Sequence, residues 1–370
     1  MTKFVLNTFG DEQETAHASR TRSWAWLRRS GLVLLGLTLA GVAYQQWGEA
    51  RDARRFPAPG ELVSVGDHRL HIWCVGTGQP IVMMISGDGT PSVTLYAAQT
   101  KIARFTRVCS YDRAGLGWSD PQTRAMSLGD KVDDLDRLVT AKASGPLVLV
   151  PESGGNLIAL GYAARAPGRV AGAVFVDASE PDLWFRGTPS VLPSLRQQNL
   201  FWQVGWRLGV TRAVLPFAVP AWVDQLSPKL RGQFDAVWSK PMPSYARDAI
   251  DTWEQTKVED RPTARAGLLG DRPIAVIRHG VSGGPEIPAE FEKEWPAAQA
   301  KLAKLSSNSR SIVATDNHHP IAEENPQLVA DVVRQVIFTI RNRAPLARQA
   351  GERRCCHSRS GGTDVSGVLD

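Results

Sequence analysis

Residues 146–162 read Pro-Leu-Val-Leu-Val-Pro-Glu-Ser-Gly-Gly-Asn-Leu-Ile-Ala-Leu-Gly-Tyr, with Ser153 at the centre. The apolar run 147–150 suits a strand buried on both faces, and a helical pattern opens at Leu157, just after two glycines. A strand that turns sharply into a helix holds the residue at the turn above the sheet. It also aims backbone N–H groups at the positive end of the helix, where a developing oxyanion can be bound. Ser153 is therefore a candidate nucleophile, against the plainer reading of a serine in a structural turn.

Outward from this turn, strands and helices alternate. Residues 61–65 and 69–75 form a hairpin across a Gly-Asp turn, and 80–85 follow as an apolar strand that ends in Ser86-Gly87-Asp88-Gly89. The next strand, 106–111, runs into Asp112-Arg113-Ala114-Gly115-Leu116-Gly117-Trp118-Ser119. Ser127 caps a helix through residue 143, and 170–177 is a buried strand ending on Asp177. Strands at 272–278 and 311–314 frame a helix over 289–305 that Pro296 bends or delays, and Asn325-Pro326 opens a closing helix. This spacing implies an α/β fold, a mostly parallel sheet with helices on both faces. Ligands of such sheets bind beyond the carboxyl ends of the strands, where Ser153 and Asp177 both fall. Residues 181–268, with six tryptophans and several prolines, break the alternation and read as a mainly helical insertion.

The octet from Asp112 to Ser119 resembles the D-x-R-G-x-G-x-S segment after the fourth strand of the α/β-hydrolase superfamily. Pro151-Glu152-Ser153-Gly154-Gly155 is similar to its G-x-S-x-G elbow, with Pro151 in place of the first glycine. The resemblance covers residues 61–343 and implies a helical cap inserted between the sixth and seventh strands. It implies oxyanion donors at the N–H groups of Asp88 and Gly154, and a structural part for Asp112 and Arg113. It puts the general base in the loop after the last strand, at His319, with His318 beside it as the alternative. His68, His71 and His279 receive no role. Asp177 or Glu286 would complete the triad, since both keep the order Ser, acid, His. The implied chemistry is serine hydrolysis of an ester (acyl) bond in a small, partly apolar substrate through an acyl-enzyme, with no metal or cofactor. The alternatives are a non-catalytic binding protein of the same fold, or a peptidase, thioesterase or cofactor-free peroxidase. Relatives that open epoxides or remove halides place Asp at the elbow, which disfavours that chemistry here.

The chain has 370 residues, 43% hydrophobic and 22% charged, enough for one α/β domain with an insertion. Its formal charge of +6 comes with arginines near both ends, which reads as membrane-flanking and tail charge, with no nucleic-acid partner. Residues 1–50 hold a basic segment and one uncharged apolar run, 31–47, at the lower limit for crossing a bilayer. Lys3, Arg20, Arg22, Arg28 and Arg29 precede the run, and Arg51, Arg54 and Arg55 follow it. That bias predicts a single-pass anchor with a cytoplasmic N-terminus and an extracytoplasmic catalytic domain. A cleaved signal ending at Gly41-Val42-Ala43, with secretion, and a buried core helix are the other readings. Residues 51–60 read as a linker and 344–370 as a disordered tail. Cys74 and Cys109 lie on neighbouring strands of the hydrolase order and either bridge or remain core thiols. Oligomeric state is not legible in the chain.

Overall fold

The computed structural model describes residues 8–242, 245–281, 289–343 and 345–346. Its centre is a sheet of eight strands in the order β1-β2-β4-β3-β5-β6-β7-β8. These are β1 (Glu61–Ser64), β2 (Arg69–Val75), β3 (Ile81–Ile85), β4 (Val108–Tyr111), β5 (Leu147–Pro151), β6 (Val170–Val176), β7 (Ile274–His279) and β8 (Ser309–Ala314). β1 and β2 pair antiparallel, β2 joins β4 antiparallel, and every pairing from β4 onward is parallel. The described helices are α1 (Thr8–Arg55), α2 (Tyr96–Ile102), α3 (Leu128–Lys142), α4 (Gly155–Arg165), α5 (Pro181–Arg207), α6 (Val210–Val214), α7 (Pro228–Trp238), α8 (Tyr245–Gln255), α9 (Ala289–Glu292), α10 (Trp295–Ala303), α11 (Ile321–Glu324) and α12 (Pro326–Asn342).

The central strands read as unbroken apolar runs because both faces are covered. Met83, Leu149, Phe175 and Val276 point to the layer of α3, α4 and α10. Their neighbours Met84, Val150, Val176 and Ile277 point to α2 and α12. Period-two alternation therefore sorts two apolar faces instead of one apolar and one polar face. α3 begins with a full capping box, in which the Ser127 hydroxyl accepts from the Asp130 amide while the Asp130 carboxylate accepts from the Ser127 amide. Asn325 caps α12 through the Leu328 amide, with Pro326 at the first helical position.

Several boundaries differ from the sequence reading. The helix expected over 289–305 is two helices, α9 and α10, because Pro296 sits in the first turn of α10 and cannot donate back into α9. The apolar run 31–47 belongs to the far longer α1, since the Ala, Glu and Arg residues after it favour helix and carry it through Arg55, half-way into the stretch read as a linker. Between β6 and β7 the insertion is helical, built from α5 to α8. Cys74 and Cys109 face each other across β2 and β4 and form a disulfide. The expected tail lies outside the described residues apart from 345–346.

Candidate active site

Four loops at the carboxyl ends of the parallel strands meet at one place: Asp88 follows β3, Ser153 follows β5, Asp177 follows β6 and His319 follows β8. Ser153 and Asp177 both have left-handed backbone, at φ 47° and 41°. Such positions cost a non-glycine residue on the order of 1–3 kcal/mol and persist where surrounding structure imposes them. At Ser153 it is imposed by the amide, which donates to the Val176 carbonyl (3.2 Å), while the Gly155 amide donates to the Glu152 carbonyl (2.9 Å). Gly155 itself is fixed by space, because a Cβ there would stand 2.5 Å from the Ile85 carbonyl oxygen and 2.6 Å from that of Ser86.

Pro151, the departure from the elbow pattern, falls where its missing N–H has little to lose. The Glu152 amide donates to Ile85 on the β3 side, so the nitrogen of Pro151 faces β6. There the ladder pairs Leu149 with Ala173 and resumes only at the bridge between Glu152 and Val176. The proline occupies the interval.

The structure brings Ser153, His319 and Asp177 together. The Ser153 hydroxyl donates to His319 Nε2 at 2.9 Å, and His319 Nδ1 donates to Asp177 Oδ2 at 2.6 Å. His318 points elsewhere, its ring on Glu324 at 3.0 Å. Glu286 lies outside the described residues. No hydrogen bond among the described residues uses the amide of Asp88 or of Gly154. Arg113 holds the loop carrying Asp88, donating to the Ser86 and Gly87 carbonyls and to Asp248 on α8. Asp112 is likewise internal, accepting from the Ser92 and Trp118 amides and from His71.

His279, given no role from sequence, is a direct partner of the acid. Its Nδ1 donates to Asp177 Oδ2 at 2.5 Å, and its Nε2 lies 3.1 Å from Glu292 Oε2 on α9. Trp295 Nε1 and the His279 amide both donate to Asp177 Oδ1. Burial alone would raise the Asp177 pKa, but the hydrogen bonds and charges of His279 and His319 overcome it and hold it at about 2. For His279, burial opposes the proton, and the two carboxylates outweigh it and raise the pKa. Both ring nitrogens address carboxyl groups, an arrangement that favours the imidazolium. The available signal was positional, since His279 ends β7 just as Asp177 follows β6. Among the described residues, Asp177, His279 and His319 are also the group whose ligand-type atoms converge, within 4.8 Å. With both Nδ1 groups donating to one oxygen, the group is a hydrogen-bonded cluster.

Two further carboxyl groups crowd the turn. The Asp88 side chain lies against Gly154: it accepts from Trp184 Nε1 at 3.2 Å, and a Cβ on Gly154 would stand 2.1 Å from its Oδ2. Burial and the nearby Asp248 push its pKa up to about 6, against the charges of Lys131 and Arg113. Glu152, beside the candidate nucleophile, is buried facing Glu323, and burial with that second carboxyl raises its pKa well above the usual range.

Ser153 and His319 open into a cavity of about 420 Å³ roofed by Leu183, Trp184, Val191 and Leu195 of α5. Of the six tryptophans in the insertion, Trp184 alone lines it. Trp206, Trp222 and Trp238 belong to a cap core with Val223, Phe234 and Val237.

A family model described as alpha/beta hydrolase fold matches residues 96–276. The chain has the α/β-hydrolase fold. An esterase from Thermogutta terrifontis aligns with a TM-score of 0.56 at 19% identity, over 76% of this chain and 99% of the esterase. An uncharacterised protein of Schizosaccharomyces pombe is 27% identical over 76% of this chain and 56% of its own length. A cis-3-alkyl-4-alkyloxetan-2-one decarboxylase of Shewanella oneidensis is 29% identical over 42% of this chain and 54% of its own. This hydrolase-fold chain thus spans about half the length of these curated relatives.

Proposed function

We propose that this chain is a serine hydrolase acting on ester (acyl) bonds of a small, partly apolar substrate. The observation that carries the reading is the continuous path from Ser153 through His319 to Asp177. His319, neutral at Nε2, takes the Ser153 proton as Oγ attacks the carbonyl, and Asp177 holds the ring in that tautomer. The amides of Asp88 and Gly154 would bind the oxyanion. His319 then returns the proton to the leaving alkoxide, and water hydrolyses the acyl-enzyme by the same relay. The apolar cavity walls favour an uncharged acyl or alcohol portion.

The Asp88 carboxyl over Gly154 favours a second reading, a non-catalytic binding protein, because an anion there opposes a developing oxyanion. Hydrolysis of a short p-nitrophenyl ester separates the two. The wild type should exceed Ser153→Ala by several orders of magnitude, and a fluorophosphonate should label Ser153; equal rates and no label would leave only the binding reading.

For localisation, we read α1 as a membrane anchor with the hydrolase domain extracytoplasmic, the alternative being secretion after signal cleavage. One helical stretch, Trp26–Arg55, is long and apolar enough to cross a bilayer, and its apolar window is unburied. The flanking basic residues and the Cys74–Cys109 disulfide, a bond of oxidising compartments, support that topology.

A further inference from the structure

We propose that one face of the cap is immersed in the lipid bilayer beside α1, so that the cavity draws its substrate from the membrane. The proposal deepens the anchor and esterase readings and rests on them for the identity of the substrate.

The cap does not hang free of α1. Gly41 and Gly48 bring the helix onto it: a Cβ at Gly41 would stand 2.5 Å from the Leu208 carbonyl oxygen, and one at Gly48 would stand 2.4 Å from Arg212 Nε. Arg212 pairs with Asp52 and donates to Gln45 at 3.3 Å, while Gln45 donates to the Ser239 carbonyl at 2.7 Å. Asp52, Arg212 and Gln45 are all buried.

Contact thus begins at Gly41, six residues before the apolar run ends at Trp47. At ~1.5 Å rise per residue, roughly 9 Å of that run lies alongside the cap. If 31–47 occupies the hydrocarbon, this part of the cap sits at bilayer depth.

The cap surface there is built for it. Leu200 (66% exposed), Phe201 (67%) and Val204 precede Leu208 by four to eight residues, and Val210, Val214 and Phe217 (89%) follow it, all exposed. Residues 197–223 contain no acid and two cations. One, Arg212, is consumed by Asp52; the other, Arg207, is exposed, where it suits a lipid phosphate. An apolar face free of acids with an exposed arginine on it, continuous with an apolar helix, is what an interfacial segment presents to lipid. The same α5 that carries Leu200 and Phe201 roofs the cavity with Leu195 and Leu183, so the apolar face and the pocket wall are turns of one helix.

The test uses the full chain with Cys355 and Cys356 replaced by serine, reconstituted in phosphatidylcholine and phosphatidylglycerol vesicles. Single spin labels at Leu200→Cys and Phe217→Cys are compared with one at Phe338→Cys. Phe338 is an exposed control on α12, whose Arg341 bonds the Gln79 and Phe105 carbonyls preceding β3 and β4, at the opposite end of the sheet. Oxygen and nickel-complex accessibility should place the two cap labels about 5–10 Å below the headgroups and the control in water. Cap labels as open to the nickel complex as the control overturn the proposal; so does shielding that persists in detergent with a dimeric mass, which would assign the face to a second copy. Phe217→Glu should lose most hydrolysis of a long-chain ester held in vesicles while keeping its rate on a soluble short ester. Equal rates on both, relative to wild type, would overturn delivery from the membrane. Absence of any esterase activity in the wild type would sink the catalytic reading and leave the labels to decide immersion.

Discussion

Asp177 accepts four hydrogen bonds, and two of them come from histidines sharing one oxygen. His279 has a raised pKa, so its contribution to stability is complete below its unfolded value near 6.5 and is lost as pH rises through the folded value. Asp177, depressed to about 2, contributes above its unfolded value of 3.8 and loses this as pH falls towards 2. Both are present from about pH 4 to 6.5. Urea unfolding of His279→Gln should show a deficit of about 1–3 kcal/mol in that window, shrinking towards pH 9. Asp88 supplies a kinetic counterpart. Its carboxyl, with a pKa of about 6, is neutral in acid and ionised at pH 8, where it opposes the oxyanion. The ratio of kcat for Asp88→Asn over wild type should be near one at pH 5 and about tenfold at pH 8, one pKa unit of transition-state energy; a flat ratio would show that the carboxyl is not felt. Ser153, Asp177 and His319 were legible because each stands at a fixed offset from its own strand or helix. His279 was not, because its partner is 102 residues away and no local pattern reports that pairing.

At the scale of elements, apolar runs and caps declared most of the sheet and its helices, since strand burial and N-capping are local. The break between α9 and α10 and the length of α1 were misjudged where a proline position and helix-forming polar residues outweighed the apolar pattern. The antiparallel pair β2 and β4 carries the disulfide between residues 35 apart. Closing a loop of that size contributes about 2–4 kcal/mol by constraining the unfolded chain. Cys74→Ser with Cys109→Ser should lower the unfolding free energy by that amount, and reductant should then have no further effect; an unchanged midpoint would mean that strand pairing alone holds this edge.

For the molecule as a whole, the buried pair of Asp52 and Arg212 joins α1 to the cap across 160 residues of sequence. Removing one partner leaves a buried charge alone, which costs about 3–5 kcal/mol, whereas replacing both with apolar residues can be neutral. Asp52→Ala should therefore destabilise the chain markedly by thermal unfolding, and Asp52→Leu with Arg212→Met should recover most of the loss. A comparable loss in the double variant would assign the effect to packing. Asp248 has the corresponding place on the other side of the cavity. It sits on the cap helix α8 yet accepts from the Gly89 amide, from Arg113 and from Lys131 of α3. Swinging α8 outward would break all of these bonds and release the loop that aims the Asp88 amide. Through α8, which packs against the roof helix α5, the roof is thus bolted to the floor of the cavity, and an enzyme built this way would select substrates by size through the width of a fixed portal instead of the opening of a hinged door.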